Sequence, residues 1–208
     1  MKHIKMSAAV LCGGRGQRMG VDKANLKLGA ETFLDYMCRS LATVAARIVL
    51  VGRENQKLEL PSATEWTTDA NSDQGPLEGI ATALKFLEPK AEFAFITSCD
   101  APLIQHRLVT FLLGQLGDHD AVMPTDGQHI YGLTAIYRTS LATPIRGLLN
   151  EGIRRVIDLP KFLNVHLISL DDCRSVDPEL LSFENVNTPE EYSALVSKMF
   201  PPKSGRTK

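Results

Sequence analysis

The sequence predicts an α/β fold with a mostly parallel sheet. Three observations carry this. Short, nearly continuous apolar runs recur along the chain, the pattern of strands buried on both faces. Segments with one apolar helical face alternate with them. Two helix-entry signals, Gly75-Pro76 and Thr188-Pro189-Glu190-Glu191, lie between or after the apolar runs. Alternation of this kind makes parallel strands with crossover helices.

Met6 to Cys12 reads as the first buried strand, followed by a Gly-rich basic loop. Glu31 to Ala46 places Phe33, Leu34, Met37 and Leu41 on one face of a helix. Ile48-Val49-Leu50-Val51 is a second buried strand, stopped by Gly52. Pro76 to Leu87 is a helix with proline in its first turn, where the missing N–H costs nothing. Phe93-Ala94-Phe95-Ile96-Thr97 is a third strand, ending in Cys99-Asp100-Ala101-Pro102. A helix from about Gln105 to Leu116 follows, then strands at Ala121-Val122-Met123 and Leu133 to Tyr137. Thr143-Pro144 has the form of an N-cap and first helical residue. Val165 to Ile168 reads as an edge strand. Thr188 and Glu191 have capping-box spacing at the start of the last helix.

The chain has 208 residues, and its 44% apolar and 23% charged fractions supply a core and exclude disorder as the main state. Residues 1–200 read as a single domain and 201–208 as a frayed, basic tail. A formal net charge of −1 gives no support to nucleic-acid binding through bulk phosphate attraction, nor to a membrane-surface role. The apolar stretch near the N-terminus is too short for a signal-peptide core, and no later run is long enough for a membrane span. Cys12, Cys38, Cys99 and Cys173 show neither zinc nor redox-motif spacing. The expected setting is a reducing cytoplasm.

In an open α/β sheet, ligands bind beyond the carboxyl ends of the strands, near a switch in strand order. Loops after Cys12, Val51, Thr97 and Tyr137 are expected at that end. The first, Leu11 to Lys23, contains Gly13, Gly14, Gly16 and Gly20, which let backbone N–H groups approach a ligand closely. From Gly13 to Lys27 it is net positive by three, since Arg15, Arg18, Lys23 and Lys27 are opposed only by Asp22. Backbone donors in a positive loop directly after a buried strand suit a polyphosphate. Away from that position, the same composition would read as a solvated turn. It is neither a dinucleotide fingerprint, because Met19 stands where the third glycine belongs, nor a P-loop, because no glycine here precedes Lys-Ser or Lys-Thr.

Asp100, at the end of a buried strand, suits a magnesium ligand and equally a helix cap. The cluster Asp73 to Gly79 reads as a turn and helix start whose Gly75 and Gly79 leave room for a nucleotide base. Asp69 precedes it, either as a ribose or base contact or as an ordinary loop aspartate. The five histidines form no ligand spacing, and there is no Ser/His/Asp set.

Four elements in order then carry a resemblance. They are Leu-x-Gly-Gly-x-x-x-Arg-Met-Gly-x-Asp-Lys (residues 11–23), Gly-Pro-Leu-x-Gly (75–79), Cys-Asp-x-Pro (99–102) and Asn-x-Asn-Thr-Pro-Glu-Glu (185–191). Together they resemble the molybdenum cofactor guanylyltransferases, over residues 6 to 195. The first element alone marks the wider nucleotidyltransferase superfamily. The resemblance implies a Rossmann-like three-layer α/β/α fold. It implies transfer of GMP from GTP to the terminal phosphate of molybdopterin, with release of pyrophosphate. It implies that Leu11, Cys12 and Gly13, with Gly14 beside them, line the guanine nucleotide, and that Arg18 and Lys23 hold its phosphates. Asp69 would contact the nucleotide, Gly75 and Gly79 would shape the pocket wall, and Asp100 would hold Mg2+ and GTP. Asn185, Asn187 and Arg155 would lie toward the molybdopterin. The residues alone read Asn187 equally as part of a helix start and Arg155 as part of a solvated face. GTP and molybdopterin are the implied substrates, with transient contact to a molybdenum insertion protein or molybdoenzyme chaperone, and neither nucleic acid nor membrane as partner.

In-line attack of a phosphate oxygen on an α-phosphorus needs positive charge on the transferring group and on the leaving pyrophosphate. The attacking phosphate is already ionised at neutral pH, so no strong general base is required, in keeping with the histidine pattern. A cytidylyltransferase acting on the same pterin is the nearest competitor. Its loop usually reads Ala-Ala-Gly where this chain has Cys12-Gly13-Gly14, and it lacks Gly-Pro-Leu-x-Gly. A sugar-1-phosphate nucleotidylyltransferase would be longer. A catalytically silent GTP-binding module would not need Arg18, Lys23 and Asp100. The chain departs from the family pattern at Gly16, where a small hydroxyl residue is common, at Val51, where Asn occurs, and at Tyr131-Gly132, where His-Pro or Gln-Pro occurs.

Overall fold

The computed structural model describes residues 6–13, 23–69 and 74–200. Among the described residues, nine strands lie in two sheets. The main sheet contains β1 (Met6–Leu11), β4 (Ile48–Gly52), β5 (Thr64–Thr68), β6 (Phe93–Ser98), β7 (Ala121–Thr125), β8 (Thr134–Arg138) and β9 (Val165–Ser169). β2 (Lys27–Leu28) and β3 (Glu31–Thr32) form a small antiparallel hairpin. The order across the main sheet is β5-β4-β1-β6-β8-β7-β9. From β5 to β6 every pairing is parallel, whereas β8 is antiparallel to both of its neighbours.

Every residue of β1 is buried. Alternate side chains serve opposite faces, as the two-residue period of a strand requires. Ala8 and Val10 join Leu50, Phe95 and Ile136 in one core, which α1 (Phe33–Leu41) covers with Leu34, Met37 and Leu41, and α3 (His106–Gly114) with Leu108, Val109 and Leu112. Ala9 and Leu11 join Val49, Ile96 and Tyr137 in the other, covered by α2 (Pro76–Leu87) and α4 (Ala142–Asn150). The result is a three-layer α/β/α arrangement. A third, smaller cluster of Leu28, Phe33, Leu103, Val186 and Leu195 seats α6 (Pro189–Met199) against the hairpin and the start of α1. The Tyr192 hydroxyl fixes this contact by donating to the Lys27 carbonyl at 2.7 Å.

The helix entries follow local chemistry. Thr32 caps α1 with a full capping box, its hydroxyl accepting from the Asp35 amide at 3.0 Å and its amide donating to the Asp35 carboxylate at 3.1 Å. Thr188 and Glu191 form the same motif at α6. Gly75 caps α2 with φ 80° and ψ −178°, and Pro76 follows in the first turn.

Several expectations need correction. The first helix runs only from Phe33 to Leu41, because Glu31 and Thr32 are hairpin strand and cap, and the chain beyond Leu41 turns back into β4. α4 begins at Ala142, capped by Leu141, so Thr143 is helical and Pro144 is the third helical residue rather than the first. A short 3-10 helix (Thr139–Leu141) feeds straight into α4, and no separate entry at Thr143 is needed. The loop after Tyr137 lies at the opposite end of the sheet from the other three, because β8 runs antiparallel. β5 carries no continuous apolar run. Its five residues are all partly exposed, since it is an edge strand. β9 is the opposite edge, as its sequence indicates. Among the described residues no helix is long and apolar enough to cross a membrane.

At φ 80° with extended ψ, Gly75 occupies a region that is accessible almost only to glycine. Gly75→Ala should destabilise the protein by about 1–3 kcal/mol in urea denaturation, and an unchanged midpoint would show that the α2 entry tolerates a side chain.

Candidate active site

The strand order reverses beside β1. The chain proceeds from β1 to β4 and β5 on one side, then crosses to β6 on the other. The carboxyl ends of these strands therefore open a crevice, the place where open α/β sheets bind ligands. Its rim is held by backbone bonds that extend the ladders. The Cys12 amide donates to the Val51 carbonyl at 2.7 Å, Cys99 to Leu11 at 3.1 Å and Asp69 to Gly52 at 2.9 Å. Gln56 braces the start of the first loop, its side-chain amide donating to the Cys12 carbonyl at 2.8 Å.

One half of the crevice is ionic. Lys23 begins a 3-10 helix (Lys23–Asn25) just after the glycine loop. Its ammonium donates to Asn187 Oδ1 at 2.7 Å and lies 3.8 Å from Asp100 Oδ2. Lys23 and Asp100 keep 16% and 26% of their side-chain surface exposed, enough for a ligand to reach both. The Ser98 hydroxyl donates to the other Asp100 oxygen. Asn187 arrives because the Val186 amide donates to the Asp100 carbonyl at 2.7 Å, while Val186 itself is buried in the third cluster. Asn187 then donates its own amide to Glu191 at 2.6 Å. Its backbone thus serves the helix start, while its side chain accepts from Lys23.

The other half is narrow and built on glycine. A methyl group on Gly13 would sit 3.2 Å from one Asp69 oxygen, and one on Gly79 would sit 3.2 Å from Leu11 and 3.5 Å from the other Asp69 oxygen. Leu11, Gly13, Asp69 and Gly79 thus form one wall. Asp69 Oδ1 is buried without a hydrogen-bond partner among the described residues. A buried carboxylate oxygen without a donor is costly, and a ligand N–H or O–H would satisfy it. Behind it stands Glu78, 2% exposed, paired with Arg146 of α4 at 2.6 Å. Burial and the nearby Glu78 carboxylate push the Asp69 carboxyl up to about 6, against the opposing pull of Arg146. Glu78 and Arg146 carry no motif of their own in one sequence. The only signal was a glutamate placed between two pocket glycines, on the face of α2 that packs inward.

The remaining candidates are placed as follows. Gly75 stands at the start of α2, near the Arg154 backbone. Arg155 precedes another 3-10 helix (Val156–Lys161), with its side chain 69% exposed and 3.9 Å from Asp158. Asn185 is exposed. Neither makes a hydrogen bond to the Lys23–Asp100–Asn187 group. Gly14, Gly16 and Arg18 lie outside the described residues. Val51 is a buried core residue. Tyr131 donates its hydroxyl to Asp126 at 3.2 Å, and Gly132 has room only for hydrogen because Val156 packs on it. Among the described residues no three His, Cys, Asp or Glu side chains converge as a metal cage.

The model of the MobA-like NTP transferase domain matches residues 8–166. The chain belongs to the MobA-like NTP transferase family. It is a nucleotidyltransferase. It is 32% identical over 207 residues to a Methanosarcina acetivorans protein named "Probable molybdenum cofactor guanylyltransferase", covering 93% of this chain and 91% of that one. A Methanosarcina mazei protein of the same name is 32% identical over 203 residues, covering 91% and 89%. The crystal structure of molybdopterin-guanine dinucleotide biosynthesis protein A from Archaeoglobus fulgidus superposes with a TM-score of 0.78 at 25% identity, over 93% of this chain and 98% of that one. The three-layer fold expected from the sequence is the fold of this family.

The Asp69 environment has a measurable consequence. A carboxyl whose folded pKa lies above its unfolded value costs stability once it ionises. That cost is absent below about pH 4 and complete above about pH 6 to 7. Asp69→Asn should therefore stabilise the ligand-free protein at about pH 8 by on the order of 1 kcal/mol after allowance for solvent screening. The gain should vanish near pH 4. Urea denaturation at the two pH values checks it, and an equal effect at both would refute the assignment.

Proposed function

We propose that this chain transfers GMP from GTP to the terminal phosphate of molybdopterin, forming the guanine dinucleotide and releasing pyrophosphate. The observation that carries the reading is the convergence of Lys23, Asp100 and Asn187 at the carboxyl end of β1 and β6, alongside the Asp69 wall. The order Leu11–Gly13, Asp69, Gly79, Asp100 around the crevice allows one nucleotide to lie across it. The base end would fit against Leu11, Gly79 and the unsatisfied Asp69 oxygen, and the phosphates toward Lys23. In this reading Cys12 and Gly14 continue the nucleotide lining and Gly75 the pocket wall.

The chemistry asked of the protein is charge and position. Lys23 is compact and cationic, and would hold the phosphates while leaving their oxygens in line for attack. Arg18 of the glycine loop would add a second cation. The pterin phosphate is its own nucleophile, so the residues need only orient it. Asn187 hydrogen-bonds to Lys23 and is suited to place the ammonium, with Asn185 and Arg155 on the pterin side.

A magnesium ion fits the donor set. Mg2+ takes one or two carboxylates together with substrate phosphates and water rather than a protein cage, and Asp100 offers one partly exposed carboxylate at a strand end. Asp100 would hold the ion, which when bound would neutralise charge on the phosphates. The dispersed thiols suit a cytoplasmic setting. A transient partner that delivers or receives the cofactor, an insertion protein or a chaperone, is consistent with so exposed a pterin side.

Asp100→Ala and Lys23→Ala should each lower the transfer rate by on the order of 10² to 10³ while keeping the fold. Single-turnover assays with GTP, molybdopterin and magnesium, together with circular dichroism, would check this. Wild-type turnover by Asp100→Ala would remove its metal role. GTP with magnesium should raise thermal stability selectively over CTP, ATP and UTP, by about 2.7 kcal/mol at a hundredfold excess over Kd. A CTP-selective shift would instead assign a cytidylyltransferase.

A further inference from the structure

Cys12 and Cys99 stand side by side at the mouth of the crevice. The parallel ladder pairs Leu11 with Ser98, and one residue further the Cys99 amide donates to the Leu11 carbonyl at 3.1 Å. In a parallel ladder that bond puts Cys12 directly beside Cys99. Side chains at paired positions leave the sheet on the same face. Both cysteines accordingly belong to the same buried cluster, while Leu11 belongs to the opposite one. Neighbouring strands lie roughly 4.8 Å apart, inside the Cα separation of about 4.4–6.8 Å that a disulfide spans. Cys12 is 2% and Cys99 7% exposed, so only a small oxidant reaches them.

The other two thiols lie off this ladder, on α1 and at the end of a short helix (Leu170–Cys173). Burial, with Asp35 beside it, pushes the Cys38 thiol up to about 12. Burial, with Asp172 and Asp177 nearby, pushes Cys173 up to about 11. The thiolate is the reacting form, so these shifts slow oxidation at both.

We propose that Cys12 and Cys99 are a modification site, a dithiol that hydrogen peroxide converts to a disulfide across β1 and β6, closing down the nucleotide site until a thiol reduces it. In the first step one thiolate sulfur attacks a peroxide oxygen. The O–O bond breaks, a sulfenic acid forms, and hydroxide leaves and is protonated to water. The second thiolate then attacks that sulfur. The S–S bond forms, the S–O bond breaks, and a second water leaves. Two electrons pass from the two thiols to the peroxide. The bridge would act on the site through its immediate neighbours, since Gly13 follows Cys12 and Asp100 follows Cys99. Drawing the two sulfurs into a covalent bond adjusts the backbone at both cysteines and so shifts both neighbours, and a displacement of about 1 Å at a reacting centre costs on the order of 10² in rate.

The effect on activity rests on the GMP-transfer reading, whereas the crosslink does not, so the two are measured separately. The wild-type protein is treated with hydrogen peroxide in mildly alkaline buffer, then digested and mapped by mass spectrometry without reduction. The expected result is one intramolecular crosslink joining the Cys12 and Cys99 peptides, formed more slowly when GTP and magnesium are present and removed by dithiothreitol. GMP transfer should fall by about 10²-fold on oxidation and recover on reduction. Cys99→Ser should remain active after peroxide, and Cys38→Ser should behave as wild type. A crosslink through Cys38 or Cys173, or oxidation of Cys12 and Cys99 only to unlinked acids, overturns the proposal. So does a Cys12–Cys99 crosslink that leaves activity unchanged. If Cys99→Ser does not fold, mapping of the wild-type protein still decides. If no GMP transfer is found at all, loss of the nucleotide-dependent thermal shift on oxidation replaces the activity readout.

Discussion

The structure depends on β1 being paired on both edges and covered on both faces. A strand so placed has no room for polar side chains, so Met6 to Leu11 carries only small or apolar groups apart from a buried serine, Ser7. It also fixes the register of β4 and β6, which pair along it in parallel. All three strands then end at one level. The chain can become polar only there, and it does so at once. Gly13, Asp69 and Asp100 are each within two residues of a strand end. The site is thus a consequence of the sheet's interior, formed where the requirement for apolar residues stops.

The two halves of the crevice use electrostatics differently. At Lys23 the charges balance: one cation sits beside one carboxylate and one amide oxygen, in partial contact with solvent. Such a group is easily rearranged by an incoming polyanion, because neither partner is locked away from water. Around Asp69 the pattern differs. Glu78 is paired with Arg146, and among the described residues one Asp69 oxygen has no donor. That open acceptor favours a ligand bearing N–H or O–H groups, as a guanine edge or ribose does. One end of the crevice therefore suits phosphate and the other a hydrogen-bond donor, the orientation that the proposed reading gives to the nucleotide.

The C-terminal segment closes the site from a distance in sequence. Val186 is held by a backbone bond to Asp100 and by apolar contacts with Leu28, Phe33, Leu103 and Leu195. The capping box at Thr188 and Glu191 sets where α6 begins and so where Asn187 points its backbone. Packing of α6 against the hairpin is therefore part of how Lys23 is held.

Much of this was legible in the amino-acid sequence. Buried strands announce themselves because both faces need apolar residues, so β1, β4 and β6 were readable from composition alone, as were the capping signals of α2 and α6. The glycine loop and Asp100 were recognisable because strand ends in parallel sheets are where such residues cluster, and the spaced motifs pointed to the family. What the sequence could not show was anything that depends on direction or on a partner remote along the chain. β8 has the same apolar run in either orientation, so only pairing with β6 and β7 made it antiparallel and moved the Tyr137 loop away from the site. β5 is an edge strand with mixed exposure and therefore has no apolar signature. The pairing of Glu78 with Arg146, the unsatisfied Asp69 oxygen and the adjacency of Cys12 with Cys99 arise between segments that only the folded sheet brings together. Local chemistry determines which residues end a strand, and register determines which of them meet.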